Sequence, residues 1–354
     1  MRPRSHWWTL VTIAVAACGE GPEITAQFTA MTQNVYVGAD IEQVLLASTP
    51  QEFLAAVDSQ FKVVVATNFP ERAKALAAAI TDADPDIVGL QEISLIRVQS
   101  PGDQINGGTE LATDTLYDYL GSLLDELTAL GANYTVAAKV QNFDLEVTRG
   151  NDTFDDVRLT DFDVILARSD IGTSAVATGN YATALTVPVA TGTLVTITRG
   201  WVGVDAVIDG VTYRVVNTHL ESATSGARIA QAQELMSNLE AASRPIILLG
   251  DLNSDAISGT DPTYGAVLNA GYRDLWALDA SAGSGLSCCQ NSELSNTTSI
   301  LATRIDLVLT RNISVASATG LVVGNDPADR TPSGLWPSDH AGVVMSAVVT
   351  VLAN

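Results

Sequence analysis

Apolar residues alternate with other types at Ile24, Ala26, Phe28 and Ala30, a period of two that predicts a half-buried strand running on to Thr32-Gln33-Asn34. Pro70 to Thr81 predicts a helix opened by proline and stopped before Asp84-Pro85-Asp86. The run Ile87-Val88-Gly89-Leu90 then reads as a buried strand that ends in Gln91-Glu92. Leu116, Leu120, Leu123, Leu124, Leu127 and Leu130 recur at helical spacing, with Gly131 as a C-terminal stop, and their role is core packing. From Tyr134 to Asn217 the pattern turns to strands. Among them are Phe162 to Ala167 and a hairpin of Trp201 to Ile208 with Val211 to Val216, joined at Asp209-Gly210. A helix over roughly Ala227 to Ala241 precedes a buried strand, Pro245 to Leu249, that empties into Gly250-Asp251-Leu252-Asn253. Ile305 to Leu309 and Gly342 to Val351 supply the last strands. No repeat, low-complexity tract or linker divides the chain, so residues 24–354 read as one large α/β domain. The Gly-rich polar stretch Ser94 to Asp114 is expected to be a mobile insertion.

The N-terminus carries a different pattern. Basic Met1-Arg2-Pro3-Arg4 precedes an apolar run from Trp7 to Ala17, too short to span a bilayer, and small residues lead to Cys18. Residues 1–18 therefore read as a signal peptide, and Val15-Ala16-Ala17-Cys18 resembles a bacterial lipoprotein box, in which Cys18 would carry a lipid anchor. A plain secretory signal is the alternative. Either way the protein is expected to be exported, to the outer surface or periplasm as a lipoprotein or as a secreted protein.

Composition sharpens this picture. At 47% hydrophobic residues the chain can bury a large core. Its net charge of −22 becomes −24 once Arg2 and Arg4 leave with the leader, and no cluster of Lys and Arg exists to displace counterions from a long polyanion. That argues against extended nucleic acid as a partner, although a solubility or high-salt adaptation explains the acidity equally well. Beyond Cys18 only Cys288 and Cys289 remain, too few for a disulfide framework or a structural zinc site, and a local structural role in the loop Gly283 to Asn296 is expected. A monomer is expected.

With His6 in the leader, the mature chain keeps two histidines, both in polar company: His219 in Asn217-Thr218-His219-Leu220, and His340 in Ser338-Asp339-His340. Imidazole is the side chain that most readily moves protons near neutral pH. Asn34, Glu92, His219, Asp251, Asn253, Asp306, Asp339 and His340 nearly all lie at or just beyond the end of an apolar strand, where sites in sheet proteins gather. Each has a plain explanation alone: a turn residue, an exposed strand end, an Asx-turn at Asp251 and Asn253. Asp306 is the exception, since Ile305 and Leu307 to Leu309 enclose it and a buried acid needs a partner.

Together these residues supply the parts of a metal-assisted phosphoester hydrolase. Glu92 and Asp339 are hard oxygen donors suited to Mg²⁺, with Mn²⁺ as a substitute. The histidines can stabilise or protonate phosphate oxygens, and Asp251 with Asn253 can hold a water for in-line attack. No His-Glu-x-x-His helix, phosphate-cradling Gly-rich loop or Gly-x-Ser-x-Gly elbow competes.

The ordered series Gln33-Asn34-Val35, Leu90-Gln91-Glu92, Asn217-Thr218-His219-Leu220, Gly250-Asp251-Leu252-Asn253, Arg304-Ile305-Asp306 and Ser338-Asp339-His340 resembles the endonuclease/exonuclease/phosphatase superfamily over residues from about 28 to 350. The resemblance implies a four-layer α/β sandwich, two central mixed β-sheets flanked by helices, with the site where the sheet edges meet. It implies that Glu92 binds the divalent ion with Asn34 beside it and Asp339 completing or supporting the shell. Asp251 would orient or deprotonate water, helped by Asn253. His219 would contact the phosphate, and His340, oriented by Asp306, would act as base or phosphate-stabilising cation. The Tyr or Asn usual in the middle of such chains has no clear match, and Asn142 and Asp163 stand as candidates. A phosphodiester substrate follows, small or lipid-borne on the charge argument, with a secreted nuclease and an inactive surface binding module as alternatives.

Overall fold

A computed structural model describes residues 23–352, so the leader and Cys18 lie outside the described residues. In chain order the elements are β1 (Glu23–Asn34), helices α1 (Glu42–Leu45), α2 (Pro50–Ala66) and α3 (Phe69–Ala83), β2 (Ile87–Gln99), β3 (Asp114–Asp118), α4 (Tyr119–Ala129), β4 (Tyr134–Thr148), β5 (Asp156–Arg168), β6 (Gly172–Asn180), β7 (Leu185–Pro188) and β8 (Leu194–Ile197). The second half holds β9 (Gly200–Ile208), β10 (Val211–His219), α5 (Ser225–Leu239), β11 (Ile246–Asp251), α6 (Pro262–Asn269), β12 (Arg273–Asp274), β13 (Asp306–Arg311), β14 (Ser314–Val323) and β15 (Gly342–Leu352).

Two mixed sheets form the centre. The first runs β14-β15-β1-β2-β5-β4, with β3 on the extension of β2, and the second runs β12-β13-β11-β10-β9-β6. Each contains one parallel pair, β1 with β2 and β10 with β11, among antiparallel neighbours. Between them lies a core that includes Phe28, Ile87, Ile165, Val204, Leu249 and Met345, with Phe28 meeting Tyr213 edge to face across the layers. Helices α3 and α4 cover the outer face of the first sheet through Phe69, Leu76, Ile80, Leu123 and Leu127. Helices α5 and α6 cover the second through Leu235, Leu239 and Val267. This is the four-layer sandwich expected from the motifs.

A buried polar pin registers one sheet against the other. Asn217 on β10 donates from Nδ2 to the carbonyls of Leu90 and Val164 at 2.8 and 2.9 Å, and its Oδ1 accepts from Gln91 at 2.6 Å. A Cβ on Gly89 would come within 2.8 Å of that amide, so the strand must carry glycine opposite it. Because Asn217 neighbours Thr218 and His219, the pin fixes the depth of the site as well as the layers. Asn217→Ala strands three buried polar partners and is expected to cost about 2–4 kcal/mol. Urea unfolding should show a lower midpoint with an unchanged slope; a loss below about 1 kcal/mol would mean that the pin carries no such weight.

Three local expectations need correction. Helix α2 was not anticipated, because Val63-Val64-Val65 is a β-branched run that reads as strand. Its start signal is nevertheless present: Thr49 and Glu52 form a capping box, with Pro50 in the first turn. The leucine helix is shorter than its stripe, since Leu116 lies on β3 and Asp118 caps α4 by accepting from the Gly121 amide. Finally, Ser94 to Asp114 is not all loop. Ser94–Gln99 continues β2 against β5, and the loop beyond it is tied by Asp156, which accepts from the amides of Asp103 and Gln104, and by Glu146, which accepts from that of Ala112.

Candidate active site

Strand register assembles the first half of the site. His219 at the end of β10 lies opposite Asp251 at the end of β11, and Asp251 lies opposite Asp306 at the start of β13. Asp306 therefore begins its strand, and because β13 is antiparallel its beginning meets the ends of its neighbours. Gly250 permits this close row: it sits at φ +154°, and a Cβ there would come within 2.1 Å of the Thr218 carbonyl oxygen. Beyond the row, Asn253 adopts a left-handed conformation, φ 49°. Its amide donates to Asp251 Oδ1 at 2.9 Å and its side chain to the Leu220 carbonyl at 2.9 Å. The Asx-turn read from sequence is thus real and lies inside the site.

The facing sheet supplies the rest. The β2–β5 pairing slips between Leu90 and Ile93, and in that bulge Glu92 takes a left-handed conformation, φ 59°, which turns its carboxylate into the cleft. Glu92 accepts from the Val37 amide at 2.8 Å and from Asn34 Nδ2 at 3.0 Å. Asn34 also donates to Asp251 Oδ2 at 3.2 Å, while its own oxygen accepts from the Tyr36 amide. Asn34 thus bridges the two sheets' acids. On the loop before β15, Ser338 donates to the Asn34 carbonyl and so seats Asp339 and His340.

The two imidazoles have opposite electrostatics. Arg199 donates to His219 Nδ1 at 3.0 Å, which places the proton of a neutral ring on Nε2; Nε2 lies 3.5 Å from the acceptor Asp251 Oδ2 and 3.0 Å from Asn253 Nδ2, itself a donor engaged with the Leu220 carbonyl. Burial, with Arg199 and His340 adding to it, pushes the His219 pKa well below its ordinary value. His340 is also penalised by burial, but Asp306, Asp339 and Asp251 outweigh it and raise its pKa well above. Its Nδ1 meets Asp306 Oδ2 at 2.8 Å, leaving Nε2 toward Asp251 Oδ2 at 3.8 Å. The surroundings thus favour the neutral form of His219 and the cationic form of His340. Burial, with repulsion from Asp306, raises Asp251 to about 7. Burial and Glu92 raise Asp339 to about 7.

These groups converge on a cleft of about 510 Å³ lined by Glu92, Arg199, His219, Asp251, Asn253, Asp339 and His340, with Asn34 and Asp306 behind its wall. A family model for the endonuclease/exonuclease/phosphatase family matches residues 31–340. The chain belongs to that family.

No curated protein matches the chain. Solved family structures share its fold at low identity. A Bacteroides vulgatus endonuclease/exonuclease/phosphatase is 15% identical over 92% of this chain and 99% of its own, with a TM-score of 0.54. A Bacteroides thetaiotaomicron family protein is 18% identical over 92% and 98%, TM-score 0.52. Truncated Caenorhabditis elegans TDP2 is 16% identical over 91% and 97%, TM-score 0.52. Family members are hydrolases of phosphoester bonds that depend on divalent metals.

The donor set fits such an ion. Among the described residues no Lys or Arg makes an ion pair with Glu92, Asp251, Asp306 or Asp339, and the only ionisable partners of Asp251 and Asp306 are imidazoles. Asp306 Oδ1 is buried without a partner. Donor atoms of Asp251, Asp306 and His340 lie within 4.8 Å of one another, and Glu92 and Asp339 line the same cleft as Asp251 and His340. Hard oxygen donors with uncompensated negative charge are what Mg²⁺ or Mn²⁺ takes.

Several participants escaped the sequence. Arg199, in the turn before β9, holds His219, and its Nε lies 3.9 Å from Glu221. Arg72 on α3, fully buried, donates to the carbonyls of Val35, Tyr36, Thr67 and Pro337, clamping the loops that seat Glu92 and Asp339. Neither stands out in the sequence, Arg72 lying in Glu71-Arg72-Ala73-Lys74 and Arg199 in Thr198-Arg199-Gly200. Of the middle-segment candidates, neither Asn142 nor Asp163 lines the cleft. Asp161 does, accepting from Asn142 at 2.8 Å, while buried Asp163 lies behind it with its pKa raised by burial and by Asp161. Cys288 and Cys289 are joined as a vicinal disulfide, and Cys289 Sγ lies 3.8 Å from His340 Nε2, so this local structure is also part of the site wall.

Proposed function

We propose that the chain is an exported, Mg²⁺- or Mn²⁺-dependent phosphodiesterase that attacks a small or lipid-borne phosphodiester with activated water and forms no covalent intermediate. The observation that carries this reading is the in-register row His219, Asp251 and Asp306, closed by His340 and faced by Glu92 and Asp339. Glu92 and Asp339 would hold the ion, which supplies positive charge to the phosphate oxygens when bound. Asp251 accepts the proton of the attacking water, which the Asn253 side chain helps to seat. His340, fixed by Asp306, offers Nε2–H to a phosphate or leaving-group oxygen. Neutral His219 offers its own Nε2–H, with Arg199 holding its tautomer. Two imidazoles held in opposite charge states divide donor roles that one group could not fill alone.

The acidic chain supports a compact substrate over long nucleic acid. Export with a lipid anchor at Cys18 rests on the leader alone. Among the described residues no helix is long and apolar enough to cross a membrane. Purified protein with Mg²⁺ should release product from phospholipid vesicles or short diesters well before it nicks plasmid DNA at equal phosphate concentration. Faster cleavage of plasmid, steeply weakened by salt, would instead identify a secreted nuclease.

A further inference from the structure

Beside the cleft lies an apolar cavity of about 110 Å³, and Val37, Ala39, Ile41 and Leu45 belong to the walls of both. Its deeper walls come from Phe53 and Val57 of α2, Leu145 and Val147 of β4, and Val195 of β8. Gln60 is the sole polar side chain in the lining, and its Oε1 is buried without a partner. Phe53, Val57, Val189 and Val195 form an apolar cluster of their own, distinct from the core between the sheets. Leucines stand exposed on the elements that build it: Leu46 after α1 is 72% exposed and Leu194 of β8 is 67% exposed. Helix α2 and the β7–β8 hairpin thus flank a greasy slot that shares a wall with the cleft. A slot lined this way, next to a few convergent polar groups, is the usual form of a ligand site with one charged and one apolar end.

We propose that this slot receives an aliphatic substituent of the phosphodiester, so that the substrate is an amphiphile whose phosphate sits among Glu92, Asp339 and His340 and whose hydrocarbon lies along Leu45 and Val57. The inference rests on the phosphodiesterase reading above. Charge agrees with it: the slot holds no charged side chain to pair with a second phosphate, and the net charge of −22 disfavours a polyanionic tail. Packing also favours it over simple solvent, because apolar cavities gain by exchanging water for methylenes.

The test is a series of 4-nitrophenyl phosphate diesters with methyl, butyl, hexyl and octyl second esters, kept below their critical micelle concentrations with Mg²⁺ present. Log kcat/KM should climb with chain length, by up to about fourfold for each fully buried methylene, and level off once the slot is filled. Leu45→Asn makes the shared wall polar and Val57→Phe fills the slot from α2; each should collapse the hexyl-to-methyl ratio, with circular dichroism and melting temperature checking the fold. In parallel, calorimetry should show hexyl phosphate binding more tightly than methyl phosphate and with the more negative heat-capacity change. Turnover without chain-length dependence, or a ratio unchanged in both variants, would overturn the slot and leave the phosphodiesterase reading standing. No turnover of any ester would sink that reading, and the calorimetric pair would then decide the slot by itself.

Discussion

Replacing Asp251 with Asn is expected to lower kcat/KM for bis(4-nitrophenyl) phosphate by about 10²–10⁴-fold while the protein stays folded. The amide keeps the shape of the carboxylate but cannot take a proton from water. Asp251 is surrounded by groups that depend on its charge: Asn34 and the Asn253 amide donate to it, and both imidazoles face its Oδ2. Burial and Asp306 raise it to about 7, far above the ordinary value of about 3.9 for Asp. It therefore becomes a base only as pH rises toward neutrality, and a bound cation draws that transition downward. Wild-type kcat/KM should rise with pH on a limb that lies above the ordinary Asp range and shifts lower as Mg²⁺ increases. A loss of under fivefold in Asp251→Asn would remove Asp251 from the proton transfer.

The second large effect is expected at the His340 pair. His340→Ala should cost about 10²–10⁴-fold. Asp306→Asn should approach it although Asp306 lies behind the cleft wall, because its carboxylate accepts the Nδ1 proton at 2.8 Å and stabilises the cation that carries a second proton on Nε2. The double variant Asp251→Asn with His340→Ala should lose little more than the worse single change, since residues that act as one unit do not lose activity additively. Multiplying losses would show that the two groups serve independent steps. Activity that survives His340→Ala would remove that residue from the mechanism.

The parts of the site that were legible in the sequence share one physical origin. Apolar strands such as Val211–Val216 and Ile246–Leu249 bury themselves whatever their neighbours are, so the polar residue that follows each run marks where the strand meets solvent. His219, Asp251 and Glu92 announce themselves in this way, and β10 beside β11 sets two of them in register. Asp306 was legible for the opposite reason, as an acid enclosed by apolar residues. What stayed hidden depends on convergence between distant segments. Arg72 acts through carbonyls 35, 36, 67 and 337, Arg199 through an imidazole 20 residues away, and Asp161 through the turn of β5 toward the cleft. The β7–β8 hairpin lies within the stretch from Tyr134 to Asn217 that reads as strands, but helix α2 was missed because its Val63-Val64-Val65 run reads as strand, and with it the apolar slot went unseen.

The central claim is that this cluster of acids and imidazoles hydrolyses a phosphodiester with metal and activated water. Purified protein should release 4-nitrophenol from bis(4-nitrophenyl) phosphate with Mg²⁺ or Mn²⁺, lose that activity in chelator and regain it on adding the ion back. In ¹⁸O-labelled water the monoester product should carry one labelled oxygen, with no labelled or unlabelled phosphate trapped on the protein. Hydrolysis indifferent to chelator, or a covalent phosphoryl adduct on the chain, would contradict the account.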